Sequence, residues 1–113
     1  MGVSDHLRID VSHEADRVIV SLNGELDMAN APLLESSIQS ADVTAKAIVL
    51  DLQQLQFIDS TGLRILLAAQ ERCQQQGQQF AITRGSEQVQ RLLSITGVSA
   101  HLRTLATPDE LLV

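Results

Sequence analysis

The sequence predicts an α/β protein built on a small mixed sheet, and three observations carry that expectation. Two short segments of alternating apolar residues stand near the start and read as a hairpin. Helical and strand patterns then alternate along the chain, and one nearly unbroken apolar run in the middle marks a strand covered on both faces. With 113 residues the chain has the length of one domain, so residues 1–113 are expected to fold as a unit.

Each element has its own signal. Leu7, Ile9 and Val11 alternate with Arg8, Asp10 and Ser12, the period of a strand with one wet face. Val18, Val20 and Leu22 repeat the pattern; residues 13–16 read as the polar link of the hairpin, and Asn23-Gly24 as the turn that ends the second strand. Asn30 is a suitable helix cap, Pro32 is tolerated in a first turn, and Ala31, Leu34, Ile38 and Ala41 recur at helical spacing. Residues 47–52, Ala-Ile-Val-Leu-Asp-Leu, form the buried central strand, with a short loop expected to follow it. Leu63, Leu66, Leu67 and Cys73 trace the apolar face of a second helix, which Gly77 stops. Gln79 to Thr83 reads as a strand, and Ser86 caps a third helix carrying Val89, Leu92, Leu93 and Thr96 on one face before Gly97. A short strand is expected between His101 and Leu105, and Thr107-Pro108-Asp109-Glu110 has the form of a capping box opening a last stub of helix. The expected order is β-β-α-β-α-β-α-β-α.

Composition narrows the function. Hydrophobic residues make up 44% of the chain, yet the only aromatics are Phe57 and Phe80, so the core must be aliphatic. A net charge of −6, with no basic patch and no exposed ring for base stacking, excludes nucleic-acid binding. The single Cys73 reads as a small core residue and suits a reducing compartment. Charged residues occupy the start where a secretory signal needs an apolar stretch, and His6 stands where myristoylation needs Ser or Thr. No apolar run approaches the roughly 18 residues of a spanning helix. A soluble, cytoplasmic protein is expected.

Enzyme signatures are missing. There is no G-x-x-x-x-G-K, no G-x-G-x-x-G and no histidine pair at metal spacing, so neither a metal nor a cofactor is expected. His6, His13 and His101 are well separated and read as surface or strand residues.

One segment remains, Asp51-Leu52-Gln53-Gln54-Leu55-Gln56-Phe57-Ile58-Asp59-Ser60-Thr61-Gly62-Leu63. It runs from a buried strand into a helix, and the carboxyl ends of strands in open α/β sheets are where ligands gather. Ser60 lies at the helix N-terminus, where unpaired N–H groups and the positive end of the dipole favour an added negative charge by about 0.3 to 2 kcal/mol. Two readings follow from the residues alone: a phosphoacceptor serine, or Asp, Ser and Thr acting simply as N-caps. A third, Ser60 as a hydrolytic nucleophile, has no histidine placed as its base. Asp-Ser-Thr-Gly differs by one inserted residue from the Asp-Thr-Gly of aspartic proteases.

Phe57-Ile58-Asp59-Ser60-Thr61-Gly62-Leu63, preceded by Ile48-Val49-Leu50-Asp51-Leu52, resembles the signature of STAS domains, and specifically of bacterial anti-sigma factor antagonists. Leu22-Asn23-Gly24-Glu25-Leu26-Asp27 resembles the family's second block. The resemblance implies a single STAS-like domain, a small mixed sheet with helices mainly on one side. It implies that Ser60 is phosphorylated by an anti-sigma factor that is itself a serine kinase of the GHKL type and supplies the ATP and Mg²⁺ site. Thr61 offers an alternative hydroxyl. The unphosphorylated form would bind that partner and release the sigma factor, and a PP2C-type phosphatase would restore it. Asp27 and Asp59 match acids near the phosphoacceptor, and the partner-facing set is expected to comprise Asp27, Asp59, Ser60, Thr61, Gly62 and Arg64. Arg64 in that set comes from helical geometry rather than the resemblance, and the same geometry adds Gln70 as an exposed position facing the partner. No catalysis by the chain itself is implied. The same family includes regulatory subunits of ABC-type lipid transporter ATPases, the alternative function.

Overall fold

A computed structural model describes residues 2–3, 5–41 and 44–110. The elements are β1 (Gly2–Val3), β2 (Leu7–Glu14), β3 (Arg17–Leu26), α1 (Ala31–Gln39), β4 (Ala47–Ile58), α2 (Ser60–Gln75), β5 (Gln79–Thr83), α3 (Glu87–Ile95) and β6 (Thr104–Leu105). Two short 3-10 turns, Val98–His101 and Pro108–Glu110, flank β6. Among the described residues the strands form one six-stranded sheet in the order β1-β2-β3-β4-β5-β6. The pairs β1–β2 and β2–β3 are antiparallel, while β3–β4, β4–β5 and β5–β6 are parallel, so the sheet is mixed as expected.

Each helix carries the chain from one strand to its next parallel neighbour, always in the same direction across the sheet. Right-handed crossovers of that kind deposit all their helices on one face. The core shows the result: Ile9, Val20, Leu22, Leu50 and Ile82 pack with Leu34, Leu66 and Leu93 of the three helices. The opposite face holds a smaller cluster of Ile19, Ala47, Val49, Ala81 and Leu105. The segment after β6 is tied across that side, where the Arg17 guanidinium donates to Pro108 O at 2.9 Å and the Gln53 amide to Ala106 O at 3.1 Å.

Three strand boundaries ahead of α2 differ from expectation, each for a local reason. β2 continues through His13, which pairs with Val18, so the hairpin turn is only Ala15-Asp16, with Ala15 at φ 53°. β3 passes through Asn23-Gly24 rather than ending there. Gly24 sits at φ 117°, and a Cβ on it would collide with the His6 carbonyl oxygen, which accepts the Glu25 N–H at 2.7 Å. Its glycine serves close backbone approach, not a turn.

The third correction positions the site. β4 does not stop at Leu52 but runs to Ile58, because its pairing with β3 shifts register twice, between Ser21 and Asn23 and again between Gly24 and Glu25. Each shift inserts an extra β4 residue. A strand alternating at period two, with one residue added per step, keeps its core face at every third position, and Leu52, Leu55 and Ile58 are all buried. At the first bulge the Leu52 N–H leaves the ladder and donates to the hydroxyl of fully buried Thr83 at 2.8 Å. That hydroxyl in turn donates to Asp51 Oδ1 at 2.9 Å.

The helix ends follow the sequence where glycine sets them: Gly77 and Gly97 have φ of 72° and 78°. Ser86 caps α3 by accepting the Val89 N–H at 3.2 Å. The last strand is shorter than expected, since β5 offers only Ile82 and Thr83 as partners, and His101 lies in a 3-10 turn. In the final turn Glu110 accepts from Ala106 N at 2.8 Å, one residue upstream of the expected cap Thr107; the remainder of the expected stub lies outside the described residues.

Replacing Thr83 by Val removes the hydroxyl that meets the Leu52 amide at the bulge, and is expected to lower stability by about 1 to 3 kcal/mol in urea titration, with Thr83→Ser recovering most of the loss. Burial pushes the Cys73 thiol up to about 11, against a smaller opposing pull from Arg72. The native protein should therefore react slowly with a disulfide reagent at pH 8 and rapidly in urea. The folded state prefers the neutral thiol, so stability should fall as pH rises from about 9 to about 11, a slope that Cys73→Ala removes.

Candidate functional site

The carboxyl ends of β3 and β4 meet at one point, and Asp59 joins them. Its backbone N–H donates to Leu26 O at 3.1 Å. Extended backbone, at φ −104° and ψ −176°, lets its side chain turn back over α2 as the N-cap, where Oδ1 accepts the Gly62 N–H at 3.0 Å. The other oxygen, Oδ2, accepts the Met28 N–H at 2.9 Å. One carboxylate thus holds both the first turn of α2 and the 27–30 turn after β3.

Gly62 makes that junction close. A Cβ there would lie 2.7 Å from Ile58 Cγ1 and 2.9 Å from Leu26 Cδ2, so any side chain would push α2 off the strand ends. Gly62 is buried, and what it contributes is this close approach rather than an exposed contact.

The 27–30 turn is held from within. Asp27 Oδ1 accepts the N–H groups of Ala29 and Asn30 at 3.0 and 3.2 Å, and the Asp27 carbonyl accepts that of Ala31 at 2.8 Å. Asn30, expected as the cap of α1, makes no side-chain cap bond. It is buried with its amide turned back, donating to Glu25 O and accepting from Asp27 N, both at 2.9 Å. Asp27 has taken the capping role because the turn starts three residues before the helix proper. Asn30 and Met28 are the site-building residues the sequence reasoning missed. The Asp27-x-x-Asn30 spacing, an Asx-type turn signal, was the clue available.

Ser60 is the first helical residue of α2 and is exposed. Its hydroxyl makes no hydrogen bond among the described residues. Thr61 is half-buried and lines a groove between α1 and α2 with Met28, Pro32, Glu35 and Arg64. Arg64 is exposed one turn beyond Ser60. Asp27, Asp59, Ser60, Thr61, Gly62 and Arg64 therefore gather at one end of the sheet. Gln70 does not join them: six positions on from Arg64, it lies about 240° around the helix. It borders a separate hollow with Glu71, Gln74 and His101.

The crossovers all run one way, so among the described residues the strand order does not reverse at any point of the sheet. Among the described residues no group of three or more His, Cys, Asp and Glu could hold a metal ion, and no helix is long and apolar enough to cross a membrane.

Comparison with known proteins agrees with this geometry. The STAS domain family model matches residues 8–111. An anti-sigma F factor antagonist of Paenibacillus polymyxa is 33% identical over 95 residues, covering 82% of this chain and 81% of that protein. The anti-sigma-F factor antagonist RsfB of Mycobacterium tuberculosis is 30% identical over 110 residues, covering 95% and 88%. The crystal structure of an anti-sigma factor antagonist from Mycobacterium paratuberculosis superposes with a TM-score of 0.85 at 28% identity, over 97% of this chain and 94% of that one. The sheet, the one-sided helices and a match over nearly the whole length lead to one conclusion: the chain belongs to the STAS domain family.

Proposed function

We propose that the protein is an anti-sigma factor antagonist, a single STAS domain acting in the cytoplasm, whose binding to an anti-sigma factor is gated by phosphorylation of Ser60. The relatives named as anti-sigma factor antagonists support the function. The observation that carries the gate is the exposed, unengaged Ser60 hydroxyl at the N-terminus of α2.

The partner is a GHKL-type anti-sigma factor kinase that brings its own ATP and Mg²⁺. In the transfer a bond forms between Ser60 Oγ and the γ-phosphorus of ATP, the bond from that phosphorus to ADP breaks, and the hydroxyl proton passes to a base on the kinase. Hydrolysis by a PP2C-type phosphatase regenerates the serine. This chain needs no catalytic group or cofactor. Ser60 is preferred to Thr61 because Ser60 is exposed while Thr61 faces the groove between α1 and α2.

The phosphate adds about −1.5 to −2 charge beside Asp59 and the turn held by Asp27. The end of α2 tolerates that charge, since amides of its first turn point outward. A partner packed over the site does not tolerate it, because an unpaired charge sealed in an interface costs about 2 to 5 kcal/mol. Binding is lost while the fold persists, as the Ser60 side chain holds nothing in place.

Incubation with the cognate kinase and ATP should add one phosphate at Ser60, and Ser60→Ala should abolish it; a phosphate found elsewhere rejects the site. Ser60→Asp should weaken the complex at least about tenfold by calorimetry, with an unchanged circular dichroism spectrum. Recovery of a transporter ATPase instead of a kinase in a pull-down would replace the partner.

A further inference from the structure

We infer that Asp59 is a positioning residue for phosphorylation of Ser60, clamping the 27–30 turn to the phosphoacceptor helix so that a kinase meets both as one rigid surface, and that it is not the base for the hydroxyl proton. The inference rests on the reading of Ser60 above and deepens it.

A base needs an oxygen directed at the proton it takes. Both oxygens of Asp59 are directed elsewhere, Oδ1 to the Gly62 amide at 3.0 Å and Oδ2 to the Met28 amide at 2.9 Å, although Asp59 adjoins Ser60 in the chain. The two amides lie on different elements, one in the first turn of α2 and one in the 27–30 turn, and the backbone of Asp59 adds a third tie through Leu26 O at 3.1 Å. Across the clamp, Asp27 spends Oδ1 on the turn's own amides. Its Oδ2 makes no hydrogen bond among the described residues, and Met28 is 73% exposed. The surface beside Ser60 thus draws a carboxylate oxygen and an apolar side chain from the 27–30 turn, and the Met28–Asp59 bond fixes their distance from the hydroxyl. A kinase that reads both the turn and the helix end binds more weakly when the clamp is gone, but transfers phosphate as fast once bound.

The test separates the two bonds of the carboxylate. Asp59→Asn keeps one acceptor for the helix cap and loses the second. Met28→Pro removes the amide donor, and proline suits the second position of a type I turn. Met28→Ala keeps that donor while losing the same side chain. In steady-state phosphorylation, Asp59→Asn should raise KM for the protein about tenfold, with kcat within about twofold and the pH profile unmoved. Met28→Pro should raise KM by a similar factor over Met28→Ala, and the Asp59→Asn, Met28→Pro double variant should be no worse than the more affected single one. A fall of about 100-fold in kcat with loss of the acid limb of the pH profile would make Asp59 a base and overturn the inference. So would fully multiplicative KM effects in the double variant.

A second arm needs no kinase. Hydrogen exchange by NMR should show the Met28 amide exchanging faster in Asp59→Asn while the Gly62 amide stays protected, and unchanged exchange at Met28 overturns the clamp. If the wild-type protein takes no phosphate at Ser60, the functional reading fails and this arm still decides the clamp.

Discussion

The Asp59 carboxylate is the constraint on which the site depends. Helix caps are common, and an aspartate that accepts one amide of its own helix explains little beyond where that helix begins. Here the second oxygen reaches an amide 31 residues upstream, on the loop that follows the neighbouring parallel strand. The ends of β3 and β4 are thereby joined beyond the last rung of their ladder. Loops at a sheet end are ordinarily the least ordered part of an α/β domain. This pair is held by hydrogen bonds to a charged acceptor, which are about twice as strong as those between neutral groups.

The path that brings Asp59 to that point is itself unusual. β4 carries two bulges against β3, and each adds a residue without turning the core face away from the helices. Without the first, Leu55 would lie on the wrong side of the strand, and without the second Ile58 would, so that Gly62 could not settle against Ile58 and Leu26. Buried Thr83 satisfies the amide that the first bulge frees, so a hydroxyl on β5 underwrites the geometry of a loop more than two turns of sequence pattern away. Sheet irregularity and functional surface belong to the same device.

Much of this was legible in the sequence, and the misses have identifiable causes. The hairpin, the helices and the central strand follow from periodicity, and the helix stops at Gly77 and Gly97 follow from chirality. The end of β4 was unreadable because Leu52, Leu55 and Ile58 recur every third residue, which matches neither the strand period nor the helix period. Gly24 resembled a turn because a glycine that yields to a crossing carbonyl looks the same, in one dimension, as a glycine that reverses the chain. Ser60, Asp59 and Asp27 were found from their motifs, but the bond between Met28 and Asp59 involves a backbone amide, and every residue except proline has one to offer. No side-chain pattern could have announced it.

The idle hydroxyl of Ser60 has a consequence for how such a switch is run. Because that oxygen supports neither the cap nor the core, the proposed phosphorylation would break no existing contact, and its effect on the unfolding free energy would be confined to the electrostatics of the helix end, about 0.3 to 2 kcal/mol. With both forms folded, the proposed kinase and phosphatase would set their ratio in a cell, and the pool could be cycled repeatedly without new synthesis.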